Sequence, residues 1–398
     1  MSKPIISPYL VPTEAEVRQQ IRAKIQAAVH EVLAEEIAAV LGSGPYERTA
    51  RRCGYRHGVE TRQMTTENGP ATLRVPRARL RQADGSTIEF QSAVLPRYAR
   101  RTRAVDEAIL SAYLAGTNTR RVRRALAPLL GEAHLSKSAV SRVVGRLRAL
   151  FADWDQRDLS AERYAVLYLD AINLRVRLVR RVVVVPVLVA LGVEEDGKKH
   201  LVGLRLAVRE AASSWRDLVV DLGRRGLREP QLVISDGHPG LAKATELWPG
   251  ATVQRCTVHK LRNLIEHCPR HAHPELRRDY HRIVYARDGL AARAAYDAFL
   301  TKWTRLCPAV ARSLEEAGTK LLTFYEFPRA LWRSLRTTNP IENLNREFRR
   351  RTKTQASFSN EQAAVTLLFG LVAFGQIILR RIDGYQHLPR LLAARAAA

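Results

Sequence analysis

From residue 165 to residue 256, short apolar runs alternate with turn signals and helical patterns, and that succession admits few architectures. AVLYLD (165–170) predicts a strand. RVVVVPVLVALGV (181–193) and HLVGLRLAV (200–208) flank EEDGKK, which predicts a hairpin. A helical pattern covers 211–225 and is followed by QLVISD (231–236), a helix over 238–247 and ATVQRC (251–256). The order β-β-β-α-β-α-β calls for a mixed sheet with at least two crossover helices, so the class is α/β.

The flanks are different. Residues 13–41 carry apolar side chains at helical spacing, from Val17 to Ile37, and Thr13 with Glu16 predicts a capping box. Turn signals such as Asn68-Gly69 and Asp84-Gly85 then break residues 45–103 into small strands. Three helices with tight turns follow, over 104–114, 119–130 and from Ser136 onward, which predicts a helix-turn-helix unit. From 260 to 333 the pattern is helical throughout, with no strand signal. The expected divisions are an N-terminal helix (1–44), a basic small-strand region (45–103) and a helix-turn-helix DNA-binding domain (104–160). A core in two parts (161–259 and 334–385), a helical insertion between them (260–333) and a tail (386–398) complete the chain.

Charge narrows the partner. The 398 residues hold 65 Lys and Arg against 39 Asp and Glu, a net +26. Such an excess favours a polyanion, and residues 74–103 alone hold eight arginines and two acids. Arginine reaches both phosphates and base edges, so Arg120, Arg121, Arg142 and Arg146 are candidate DNA contacts. An ordinary helical bundle with a solvated basic face is the alternative. Four cysteines in a chain this long make no disulfide framework, which suits a reducing cytoplasm. The run 365–379 is too short to span a membrane and predicts a buried helix, so no membrane is expected as partner.

Three carboxylates carry the chemistry. Asp170 and Asp236 each close an apolar strand pattern, where α/β sheets build their sites. Glu342 lies in TTNPIENLNREFRRRTKT (337–354). There Asn339 suits an N-cap, Pro340 the first helical position and Glu342 a capping-box carboxylate. Alternatively, Glu342 joins the two aspartates around hard divalent cations, which take oxygen ligands. On a helix Glu342, Arg346, Arg349 and Lys353 share one face, away from Ile341, Leu344 and Phe348.

Four ordered motifs sharpen this: YLDAINLRVR (168–177), SDGHPGLAKA (235–244), QRCTVHKLRNL (254–264) and TTNPIENLNR (337–346). With them the chain resembles the bacterial Mutator-type insertion-sequence transposases. The resemblance implies a ribonuclease-H-like core and a DDE triad of Asp170, Asp236 and Glu342 that binds two Mg²⁺ or Mn²⁺ ions. It also implies cleavage and strand transfer at terminal inverted repeats, a basic residue at Arg349, a homodimer on double-stranded DNA and a place in the bacterial cytoplasm at the nucleoid. Cys256 and His259 match the family's CxxH element. As zinc ligands they need two partners, and the nearby HCPRHAH (267–273) offers only a ragged set, so a structural pair is expected there and zinc is not. A transposase-derived DNA-binding regulator and a ribonuclease-H-like nuclease or resolvase remain the alternatives.

Overall fold

The computed structural model describes residues 13–117, 119–130, 135–178, 180–355 and 357–389. The Arg120 side chain and the tail beyond 389 lie outside the described residues. The chain divides into two compact units, Met1–Tyr113 with Thr117–Val144, and Leu114–Gly116 with Gly145–Ala398.

In the first unit, α1 (Glu14–Leu41) starts at the expected capping box, with Thr13 Oγ1 accepting from the Glu16 N–H at 3.3 Å. It ends at Gly42, whose φ of 65° is left-handed. Leu33, Ile37 and Leu41 are buried, whereas Val17, Ile21 and Ile25 are exposed. The small strands expected over 45–103 are instead a long hairpin, β1 (Gly54–Thr66) and β2 (Gly69–Arg81), with a short β3 (Thr87–Glu89). Pro76 does not end β2, because it pairs beside a register shift in β1 between Arg56 and Val59. Leu33 of α1 packs with Met64, Leu73, Val75 and Leu95 into this unit's core. Three helices follow where the periodicity puts them: α2 (Arg103–Leu114), α3 (Thr119–Leu130) and α4 (Lys137–Asp155), which runs on into the second unit.

The second unit is built on a five-stranded sheet of β4 (Tyr164–Leu178), β5 (Arg181–Glu194), β6 (Lys199–Leu206), β7 (Leu232–Ser235) and β8 (Thr252–Arg255). The spatial order is β6-β5-β4-β7-β8, with β4, β5 and β6 antiparallel and β7 and β8 parallel to β4. The EEDGKK hairpin is present. β4 does not stop at Asp170, however, because a second hairpin, Leu178 opposite Arg181, carries it eight residues further along β5. The crossover helices α5 (Ala212–Arg224) and α6 (Pro239–Thr245) cover one face. There Trp215, Leu218, Leu222 and Leu241 pack on Leu167, Leu169, Leu188 and Val202.

The helical stretch after β8 has its own core. α7 (Thr257–Glu266), α8 (His273–Val284), α9 (Gly289–Leu306) and α10 (Pro308–Ala317) pack around Leu276, Tyr280, Phe299, Trp303 and Leu314. After a short α11 (Trp332–Leu335), α12 (Asn339–Thr352) lies against β4, and α13 (Glu361–Ala373) against β4 and β6. The apolar run is thus a buried helix from Val365 to Leu371, but the helix ends at Ala373, and Phe374 and Ile378 beyond it are exposed. Among the described residues no helix is long and apolar enough to cross a membrane.

Candidate functional site

The site forms where the parallel strands end. Pairing between β4, β7 and β8 stops at Leu169, Ser235 and Arg255. The next residues are Asp170, Asp236 and Cys256, one row across three adjacent strands about 4.8 Å apart. Asp170 thus stands not at the end of its strand but where β4 runs on without its parallel neighbour. Alternation places it on the face of Tyr168, whose hydroxyl donates to the Ser334 carbonyl at 2.9 Å, and this is the face that α12 covers.

Each acid is held. Asp170 Oδ1 accepts from the Ala171 N–H at 2.9 Å, and Oδ2 from Asn345 Nδ2 at 2.8 Å. Asp236 Oδ1 accepts from the His238 N–H at 2.9 Å, and Gly237 makes that turn at a φ of 90°. Burial, and then the charge of Asp236, push the Asp170 carboxyl up to about 6, against the two hydrogen bonds it accepts. The two aspartates are therefore close enough to repel each other.

The start of α12 differs from the capping box expected at Asn339. Thr338 is the N-cap, Asn339 the first helical residue, and Glu342 one position too late for a box. The Thr338 hydroxyl lies 2.7 Å from Glu342 Oε1, 3.3 Å from His259 Nδ1 and 3.2 Å from Cys256 Sγ. The Thr338 N–H also donates to Cys256 Sγ at 3.3 Å. Cys256 and His259 are thereby joined to the glutamate. Burial raises the Cys256 thiol, but hydrogen bonds from His259 and Thr338 outweigh it and leave the thiol below its ordinary value. His259 is raised, first by its hydrogen bond to Cys256 and further by the charges of Glu342 and Asp236. Since His259 also acts on Asp170, this one imidazole lies in the field of all three acids.

Of the remaining candidates, Arg346 and Arg349 are exposed on α12 while Ile341, Leu344 and Phe348 are buried, as the helical spacing predicts. Arg346 bonds the Asn343 side chain. Arg121 on α3 and Arg142 on α4 are exposed in the first unit, and Arg146 is exposed in the second. Cys268 belongs to the helical core, where His273 Nε2 meets its carbonyl, so the HCPRHAH cluster stays apart from Cys256. Sequence reasoning passed over Asn345 and Thr338, both 0% exposed. Asn345 had a legible signal, since it follows Glu342 by three positions and so shares its helix face. Thr338 had none beyond its place before the helix.

The second unit is thus an α/β fold with acids gathered where its parallel strands end. A family model described as transposase, Mutator family, matches residues 11–375, and the chain belongs to that family. It is 35% identical over 352 residues to the transposase for insertion sequence element ISRM5 of Rhizobium meliloti, covering 88% of this chain and 86% of that one. It is 35% identical over 401 residues to the transposase for IS1081 of Mycobacterium tuberculosis, covering 98% and 95%. The transposase for IS256 in transposon Tn4001 of Staphylococcus aureus is 31% identical over 363 residues, covering 89% and 90%.

Proposed function

We propose that this chain cuts double-stranded DNA at the ends of an insertion sequence and joins the freed strands to a target. Asp170, Asp236 and Glu342 hold two Mg²⁺ or Mn²⁺ ions. The observation that carries the reading is the row of Asp170 and Asp236 across adjacent parallel strands, with the glutamate helix laid over β4. Two repelling carboxylates in a half-buried site are a donor set that a hard cation relieves. The buried Asn345 Oδ1, which has no hydrogen-bond partner, adds an oxygen acceptor beside them. The sheet is read as a ribonuclease-H-like core because three antiparallel strands are followed by two parallel ones, and the glutamate returns after a helical insertion.

When bound, the ions would supply electrostatic stabilisation of the attacking and leaving oxygens at the phosphate. The residues of the chain do the positioning. Asn345 fixes Asp170, the His238 N–H fixes Asp236, and the Thr338 hydroxyl fixes Glu342. Arg346 and Arg349, exposed on the glutamate helix, bind backbone phosphates near the cut. Helices α2 to α4 read as a helix-turn-helix unit in which Arg120, Arg121, Arg142 and Arg146 hold the terminal repeats. Two copies of the chain bring two ends together.

The test is a cleavage and strand-transfer assay with purified chain, Mg²⁺ or Mn²⁺ and DNA carrying the element's ends. Asp236→Asn and Glu342→Gln are each expected to lose at least about 100-fold in rate with DNA binding retained. Full activity of Asp236→Asn would overturn the assignment. Hydrolysed ends without joined products would make this a nuclease, and binding without cleavage a regulator.

A further inference from the structure

We propose that Cys256, His259 and Glu342 form a second metal site, selective for a thiophilic divalent cation of the zinc class and distinct in chemistry from the carboxylate pair at Asp170 and Asp236. Among the described residues these three are the set whose ligand atoms all lie within 4.8 Å of one another. The third ligand is not in the histidine-rich segment after Cys256, where local spacing directs the search. It arrives on α12, from far along the chain.

The geometry suits a small tetrahedral ion. Zinc bonds of 2.0–2.3 Å place neighbouring donors about 3.3–3.8 Å apart. His259 Nδ1 and Glu342 Oε1 are 3.8 Å apart. The three donors also converge on a single point, because the Thr338 hydroxyl contacts all of them at 2.7–3.3 Å. That hydroxyl holds the place an ion would take, so loading turns it aside. Access is one-sided: Cys256 is 0% exposed and forms the floor, while the His259 and Glu342 side chains keep 25% and 28% of their surface. A sulfur donor disfavours Mg²⁺, which takes oxygen, and favours Zn²⁺, Co²⁺ or Cd²⁺. Three protein ligands with one open position is the pattern of an open site rather than a closed structural one.

Loading has a consequence that rests on the function proposed above: an ion at this site takes Glu342 Oε1 from the Mg²⁺ site, so zinc-class ions would slow strand transfer. Binding itself does not depend on that reading and is tested without activity.

The experiment titrates the metal-free full-length chain with Co²⁺ and follows its absorption, then displaces the Co²⁺ with Zn²⁺. The expected result is one equivalent with a sulfur-to-cobalt charge-transfer band and the strong visible bands of tetrahedral cobalt. Cys256→Ser should abolish the charge-transfer band. It should also weaken binding by more than the roughly 10–100-fold that loss of an outer-shell partner costs. Thr338→Ala, which removes the competing hydroxyl and leaves room, should bind at least as tightly as the wild type. That variant keeps the test decisive if Cys256→Ser fails to fold. Only the weak spectrum of six-coordinate cobalt in the wild type, a charge-transfer band that survives Cys256→Ser in a folded chain, or loss of binding in a folded Thr338→Ala chain would each overturn the proposal. Tight binding without any slowing of strand transfer would leave this site standing and count against Glu342 as a Mg²⁺ ligand.

Discussion

Replacing Asp170 with Asn should make the metal-free protein more stable, and only above a definite pH. Asp170 is half-buried beside Asp236, and its carboxyl is raised to about 6 in the fold. Because the folded value lies above the unfolded one, the native state binds the extra proton between the ordinary carboxylate range and about 6. Stability therefore falls as pH rises through that window and levels off above it. The charge costs on the order of 3 kcal/mol at neutral pH. The Asp170→Asn substitution removes it and retains the shape. One amide hydrogen would then face Asn345 Nδ2, but the Asn345 amide can turn its unpaired Oδ1 to accept that hydrogen. With some loss in hydrogen-bond quality, a net gain of about 1–3 kcal/mol is expected near pH 7.5 and almost none near pH 4.5. Urea denaturation with a chelator present measures both. Millimolar Mg²⁺ should stabilise the wild type and leave the variant unmoved, narrowing the difference. A variant less stable than the wild type near pH 7.5, or a difference independent of pH, would refute the reasoning.

Three further outcomes follow from other parts of the molecule. Glu316 accepts from Lys260 Nζ at 2.8 Å and pairs with Arg255, two cations that are 2% and 7% exposed. Glu316→Ala should therefore cost about 2 kcal/mol by urea denaturation, and Glu316→Gln less, because it keeps an oxygen acceptor; equal losses would mean that the acceptor contributes nothing once the charge is gone. At Gly237 the φ is 90° and an added Cβ would sit 2.1 Å from the Arg255 guanidinium. Gly237→Ala should disturb the Asp236 turn and cut strand transfer by more than its stability loss explains, and a fully active variant would show the turn to be tolerant. Arg142→Ala should lower the salt slope of DNA binding by about 0.9 without moving the thermal midpoint, and an unchanged slope would remove Arg142 from the interface.

The local pattern of the chain was enough to place most elements. A helix from Thr13 to Leu41, the EEDGKK hairpin, the crossover helices, the helical stretch after β8 and the buried helix from Val365 all follow from periodicity and punctuation. These depend on neighbours a few residues apart, and sequence records such neighbours directly. The four ordered motifs likewise carry the family signature within the sequence itself.

Partnership across the chain was decided only by the tertiary structure. β4 continues past Asp170 because β5 offers it a partner, so the aspartate sits where the parallel pairing ends instead of at a strand end. β1 and β2 are long for the same reason, each completing the other's hydrogen bonds. The Cys256–His259 pair finds its third donor on α12 and not in the nearby histidines, and Thr338 joins them because α12 packs on β4. A spacing of two or of 3.6 residues tells which way a side chain points. Which distant side chain it meets depends on how the layers stack, and that is settled by burial of the whole core.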